Sequence, residues 1–273
     1  MQRLILVAVT DAALLPEFAQ AESAVIASAL TLQSSGVGGS WGLGLAGADA
    51  LLVRRGPRRA ADGGIASQLA GVRSRQALAF VDSHAEPRPL EVSQPFRHRD
   101  WLVAVAGVDG LGADFANAAH ARFPDHATVA RHEPEAAEAV LTVVMAALGR
   151  RNARDVQDLT TRAVRAALGD AARDLETLIA ETGGVAGPGL VVGLLRPPHT
   201  FLLPVGGSVG PLWYRLSQGT GSDPRPGRPP RHEHLHGVIA GAGAPPDARC
   251  VAVAVGSALE IGPDCKPQVF SLA

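Results

Sequence analysis

A chain of 273 residues, 47% hydrophobic and 19% charged, is long enough to bury a sizeable core, and this composition excludes extensive disorder. The formal net charge of -1 argues against nucleic acid or an anionic membrane as a partner, since both attract basic proteins. Two cysteines, Cys250 and Cys265, are too few for a disulfide framework, and no apolar stretch of about 20 residues predicts a membrane span. We therefore expect a cytoplasmic protein.

The sequence of the first half of the chain predicts one strand, then one helix, then four more strands. The apolar run at residues 4–9 is typical of a buried strand, and apolar residues at mixed spacings of three and four over residues 15–32 indicate a helix. Pro16 suits the first turn of that helix. Further short apolar runs predict strands at residues 41–45, 50–54, 77–81 and 102–106.

The second half predicts two long helices followed by strands. The helices are expected at residues 133–148 and 155–180, and the strands at residues 190–194, 200–203, 212–216, 251–255 and 268–272. This order does not repeat as βαβ units, so it disfavours a doubly wound sheet. It favours an α+β fold in which two antiparallel sheets pack face to face between helical layers.

One segment, residues 217–237, differs from the rest because it is rich in proline, glycine and arginine. It has little apolar material to offset the entropy of ordering, which indicates a surface insertion. We expect the whole chain, residues 1–273, to form a single domain that carries this insertion.

Short motifs along the chain resemble those of one enzyme family. From Gln76 the chain reads Q-A-L-A-F-V-D-S-H-A, then Q-P-F from Gln94, then W-L-V-A-V-A-G-V-D-G from Trp101. Their order and apolar positions resemble the class II glutamine amidotransferases, whose N-terminal-nucleophile domains read roughly A-H-V-R-x-A, H-P-F and W-x-F-x-H-N-G. The resemblance extends to Trp41-Gly42 and to G-S-A-L from Gly256. It implies a four-layer α-β-β-α sandwich.

The residues that carry this family's chemistry are replaced at their positions in this chain. The resemblance places the nucleophilic Cys at Gln2, whose carboxamide cannot attack a carbonyl. Asp82 aligns with the Arg that grips the substrate α-carboxylate, so an anion replaces a cation. Ala106 aligns with the Asn of the oxyanion hole, whereas the adjacent Gly107 is retained. Glu133 aligns with the acidic residue that holds the α-ammonium group.

These replacements predict a vestigial pocket with no catalytic residue, no cofactor and no metal. The resemblance then implies a catalytically inactive member of the family, a binding or scaffolding subunit. Its partner is expected to be another protein, with a small-molecule ligand possible and with no contact to nucleic acid or membrane. The alternative is an enzyme of altered chemistry that uses Asp82, His84 or Glu133 on a substrate lacking an α-carboxylate. A third hypothesis makes the 217–237 insertion the contact with a partner.

Two further groups of residues have both a functional and a plain interpretation. Alternating imidazoles in an extended segment can bind a metal, and the insertion holds His232, Glu233, His234 and His236. A solvated polar loop explains the same residues, because a proline-rich segment supplies no rigid support for ligands. Cys250 is either a displaced nucleophile or a small core residue, and its apolar neighbours favour the core.

Overall fold

The computed structural model of the protein describes residues 2–31, 39–47, 50–57, 64–83, 93–124, 135–154, 160–184, 190–206, 212–218 and 236–272. Within these ranges the helices are α1 Leu15–Ala21, α2 Ser23–Leu30, α3 Gly64–Ala70, α4 Ala113–Arg122, α5 Ala136–Arg150 and α6 Thr161–Glu181. The strands are β1 Gln2–Val9, β2 Ser40–Ala46, β3 Leu51–Pro57, β4 Gln76–Asp82, β5 Phe96–His98, β6 Trp101–Ala106, β7 Val191–Arg196, β8 His199–Pro204, β9 Leu212–Gln218, β10 His236–Ala242, β11 Val251–Ala252, β12 Ser257–Ile261 and β13 Pro267–Ser271.

The strands form two sheets in which every recorded pairing is antiparallel. Sheet A has the strand order β11-β9-β10-β1-β4-β2-β3, so β1 lies at its centre between β10 and β4. Sheet B has the order β13-β12-β8-β7-β6-β5. The long run of apolar residues in β1 follows from this position, because a central strand that is covered on both faces buries successive side chains.

Three hydrophobic clusters define four layers. One cluster lies between α1–α3 and the outer face of sheet A, a second lies between the two sheets, and a third lies between sheet B and α4–α6. Alternate residues of β1 divide between the first two clusters, as the two-residue period of a strand requires: Leu4 and Leu6 face sheet B, whereas Ile5 and Val7 face the helices. The expected four-layer α-β-β-α sandwich is thus confirmed.

The helix expected over residues 15–32 is divided at Glu22, where α1 ends and α2 begins. Glu22 is buried, with 7% of its surface exposed, and its Oε2 lies 3.0 Å from Nη2 of the buried Arg215 in β9. Asp247 also pairs with this guanidinium, and the Ser217 hydroxyl donates to Glu22. The carboxylate of Glu22, at the junction of α1 and α2, therefore links the helical layer to sheet A.

A second buried carboxylate ties α6 to sheet B. Glu260 of β12 is 1% exposed; its Oε1 lies 2.8 Å from Nδ1 of His199, and its Oε2 accepts from Nε of Arg165 at 2.7 Å. Burial acts to raise the pKa of Glu260, but the hydrogen bonds from His199 and Arg165 outweigh it and hold the pKa below its ordinary value. This carboxylate is therefore ionised in the folded protein at neutral pH.

Several sequence expectations need correction. Both ends of the expected insertion, residues 217–218 and 236–237, belong to the paired strands β9 and β10, and the intervening residues 219–235 lie outside the described residues. The strand expected over 251–255 covers only Val251–Ala252. The described residues also contain elements that the sequence pattern did not predict, namely α3, α4, β5, β10 and β12. No helix in the described ranges is long and apolar enough to cross a membrane.

Candidate functional site

The candidate site lies at the end of the sandwich where β1 begins and where β4 and β6 end. Gln2 of β1 and Ser40 of β2 are both register partners of Asp82, the last residue of β4. Strand alternation directs these three side chains toward sheet B, on the same side as the cluster between the sheets. Ala106, the last residue of β6, belongs to that cluster and faces them from sheet B.

Gln2 bridges the two sheets with its side chain. Its Oε1 accepts a hydrogen bond from the backbone N–H of Gly107 at 2.9 Å and a longer one from Val108 at 3.3 Å. Gly107 has a φ of 85°, a left-handed conformation that favours glycine and turns the chain sharply after β6. The turn aims two consecutive N–H groups at one oxygen atom, an arrangement that suits an anion or a polarised carbonyl.

Asp82 brings a carboxylate to the same end of the sandwich. The residue is 4% exposed, and its neighbour in register, Ser40, is 7% exposed. Gly39 passes so close that a Cβ there would lie 2.3 Å from the Asp82 carbonyl oxygen, which excludes any larger residue. A carboxylate substrate that entered beside Asp82 would meet an acidic side chain, and no guanidinium at that position, in a site with little access to water.

Gln94 fixes the strand that leads into this turn. Its Nε2 donates to the Val105 carbonyl at 2.9 Å, and its Oε1 accepts from the Val105 N–H, so one carboxamide pairs with both backbone groups of a residue in β6. The following Pro95 carbonyl accepts from Nη2 of Arg55 at 2.7 Å. A Cβ on Gly42 would lie 1.8 Å from the Gln94 carbonyl oxygen. The Q-P-F segment is therefore a structural support for the loop at Gly107.

The structure brings four of the five predicted pocket residues together, namely Gln2, Asp82, Ala106 and Gly107. Glu133 lies outside the described residues, as does His84. The sequence interpretation missed two contributors, the Val108 N–H and Gln94. Val108 leaves no sequence signal because only its backbone takes part. Gln94 could have been found from the sequence, because this chain has Gln where the H-P-F motif has His.

The remaining candidates do not form a second reactive site in the described residues. His232, Glu233 and His234 fall outside those residues, whereas His236 lies in β10, and no group of three potential metal ligands occurs in the ranges described. Burial raises the pKa of Cys250, and it raises the pKa of Cys265 to about 11. Both thiols are therefore protonated at neutral pH, a state that disfavours nucleophilic attack.

Comparisons with known proteins agree with this architecture. No protein-family model matches the chain, and no curated protein matches it. A solved glutamine aminotransferase class-II domain protein from Silicibacter pomeroyi superposes with a TM-score of 0.61 at 15% identity, covering 99% of both chains. Glutamine phosphoribosylpyrophosphate amidotransferase from B. subtilis, in complex with ADP and GMP, gives a TM-score of 0.54 at 10% identity. The alignment covers 99% of this chain and 49% of that enzyme.

A structure described as the allosteric regulatory enzyme of purine biosynthesis gives similar values: a TM-score of 0.56, 10% identity, and coverage of 99% of this chain and 49% of the other. The chain thus spans about half the length of these two enzymes. At such identities the similarity concerns the backbone alone. The protein therefore has the α+β fold of the N-terminal nucleophile hydrolases, as found in class II glutamine amidotransferase domains.

Proposed function

We propose that this protein is a catalytically inactive relative of the class II glutamine amidotransferases, acting in the cytoplasm as a binding or scaffolding subunit for another protein. One observation carries the proposal: the Gln2 carboxamide oxygen accepts hydrogen bonds from the backbone N–H groups of Gly107 and Val108. These are the groups that an oxyanion would require. The side chain at the nucleophile's position therefore competes for the site that a substrate would use.

Three independent replacements support the loss of glutaminase chemistry. Gln2 offers a carboxamide in place of a thiol, Asp82 a carboxylate in place of a guanidinium, and Ala106 a methyl group in place of an amide donor. Loss of a single oxyanion donor typically slows such reactions by about 10²–10³-fold. The other two losses remove the attacking atom and the grip on the substrate carboxylate.

The alternative hypothesis, an enzyme of altered chemistry, requires an open space beside Gln2 and Asp82. The hydrogen bonds of Gln2 weigh against it, because they satisfy the donors that a substrate would need. An enzyme of this kind would also need Asp82, His84 or Glu133 to reach the substrate as an acid or base. A catalytically silent scaffold is the function that the geometry supports best.

A glutaminase assay tests the inactive part of the proposal. Purified protein and its Gln2→Cys variant are incubated with glutamine, and ammonia is measured against a reaction without protein and against B. subtilis glutamine phosphoribosylpyrophosphate amidotransferase. We expect no ammonia above background from either form, because Asp82 and Ala106 still differ from the family pattern in the variant. Ammonia release by the natural chain clearly above background would overturn the proposal.

The binding part is tested at the segment between β9 and β10. Gln218 and His236 are paired directly opposite each other, so a two-residue Asn-Gly turn in place of residues 219–235 would close the hairpin without changing its register. We expect this variant to keep its unfolding midpoint but to lose a protein that co-purifies with the natural chain. Retention of every co-purifying protein would contradict a partner contact in this segment.

A further inference from the structure

A cavity of about 510 Å³ lies at the opposite end of the sandwich from Gln2. It is lined by Ala8 and Val9, at the far end of β1. Gln2 and Val9 are seven positions apart in this extended strand, which corresponds to about 23 Å. The volume falls in the range of about 300–1,000 Å³ that is usual for small-molecule sites. We call it the distal pocket, since it shares no residue with the site at Gln2.

The walls of the distal pocket are mainly apolar and come from both sheets. Ala46, the last residue of β2, belongs to sheet A, whereas Pro197 and Pro198 form the turn between β7 and β8 in sheet B. Nε2 of the buried Gln76 donates to the Pro198 carbonyl at 2.6 Å and so links the two walls. This link holds the cavity in one shape, which lowers the cost of ordering the site when a ligand binds.

The apolar character extends to the one thiol in the wall. Cys265 is 5% exposed, and its pKa, raised to about 11 chiefly by burial, keeps it neutral at pH 7. The neighbouring carboxylate of Asp264 pairs with Lys266, with 3.4 Å between Oδ2 and Nζ. No acidic side chain lines the pocket among the residues that the structure describes.

Positive charge is concentrated at one side of the pocket. Arg73 and Arg75 both line it, both are exposed, and they are two residues apart in a segment whose burial alternates. Neither guanidinium makes a hydrogen bond or an ion pair within the described part of the chain. Two guanidiniums that have no partner among the described residues, beside an apolar cavity, match a molecule that has an anionic head and an apolar body.

We infer that the distal pocket binds an amphipathic organic anion, whose apolar body fills the space near Ala46 and Pro198 while its carboxylate or phosphate pairs with Arg73 and Arg75. The inference does not depend on the proposed function, because no residue at the Gln2 end takes part.

Calorimetric titration tests the charge preference of the pocket with matched probes. Phenylbutyrate, phenylbutanol and phenylbutylamine share one apolar body and differ in the charge of the head, and phenyl phosphate distinguishes a phosphate head from a carboxylate. We expect at least one of the two anions to bind at least about ten-fold more tightly than the alcohol and the amine. Equal binding of the amine, or no binding of either anion, would overturn the inference.

Variants locate the binding. The double variant Arg73→Gln/Arg75→Gln should weaken the preferred anion about ten-fold, whereas Arg54→Gln/Arg162→Gln, an equal change of net charge at exposed arginines elsewhere, should leave its affinity unchanged. Ala12→Phe, which places a ring in the pocket without changing charge, should abolish binding of the anion. Unaltered affinity in both the Arg73/Arg75 and Ala12 variants would place the binding elsewhere and refute the assignment.

Discussion

Replacing Gln2 by Met is the most direct perturbation of the candidate site. Met has nearly the same length and volume, so the side chain can still lie between the sheets, but it offers no oxygen to accept a hydrogen bond. The N–H groups of Gly107 and Val108 would then lose their shared acceptor. The substitution therefore isolates the hydrogen bonds from the packing of the side chain.

The two distances set the expected size of the effect. The 2.9 Å contact to Gly107 has the usual length for an N–H···O hydrogen bond, whereas the 3.3 Å contact to Val108 is long and contributes less. Loss of the acceptor for one well-formed, partly buried donor costs about 1–3 kcal/mol. We expect Gln2→Met to lower the free energy of unfolding by an amount in that range.

Urea unfolding followed by circular dichroism measures this change. A fall in the midpoint with an unchanged slope reports a loss of stability without a change in the surface exposed on unfolding. Gln20→Met is the matched control, because Gln20 is exposed on α1 and a surface substitution usually changes stability by less than about 0.5 kcal/mol. If Gln2→Met were as mild as Gln20→Met, the Gln2 carboxamide would not hold the Gly107 turn.

Three further changes test other parts of the structure. Arg215→Met should lower the free energy of unfolding by about 3–5 kcal/mol, because it leaves the carboxylate of Glu22 buried without its ion-pair partner. Glu260→Gln should reduce the loss of stability on acidification, measured by urea unfolding from neutral to acidic pH. The pKa of Glu260 is lowered by folding, so its stabilisation is present above the ordinary value of 4.5 and is lost as the pH falls through the lowered pKa. Gly42→Ala should destabilise by about 1–3 kcal/mol or more, since its Cβ would meet the Gln94 carbonyl.

Each of these three changes has a control in the same chain. Arg249→Met removes an exposed guanidinium, 3.3 Å from Asp247, and should cost less than about 1 kcal/mol. Glu181→Gln removes the negative charge from an exposed pair with Arg122 and should change the free energy of unfolding by less than about 1 kcal/mol. Gly71→Ala adds a Cβ with ordinary contacts only. If a control variant lost as much stability as the variant it is paired with, burial or crowding at the tested residue would not be the cause of the loss.

The strands and helices that the sequence predicted are those with uninterrupted apolar patterns. The run that forms β1 is apolar from Leu4 to Val9 and was found with an error of two residues, because a central strand buries both faces. Strand β10 was missed because glycine is usually a signal for a turn. Its glycines serve packing instead: a Cβ on Gly237 would lie 2.3 Å from Phe18, and a Cβ on Gly241 would lie 2.7 Å from Trp213.

The sequence could predict only those parts of the candidate site that consist of side chains in a recognisable motif. Asp82 and Ala106 were found because a motif fixes their order along the chain, and the antiparallel register then brings Asp82 opposite Gln2. The hydrogen bonds of Gln2 were not predicted, since they join a side chain to backbone groups of Gly107 and Val108 more than 100 residues away. Such contacts depend on the packing of two sheets, which no local pattern contains.

Under the proposed function, the length of the Gln2 side chain would account for the loss of catalysis. A nucleophile needs a reacting carbonyl between itself and the oxyanion donors, with each contact near 3 Å, so a short side chain leaves that space open. Gln2 reaches across it and places its own amide oxygen 2.9 Å from the Gly107 N–H. On this proposal, Gln2 supplies an amide at the point where a hydrolase would receive its substrate, and the Gly107 and Val108 donors are satisfied without one. A glutamine molecule would have to displace this intramolecular contact and also approach the carboxylate of Asp82.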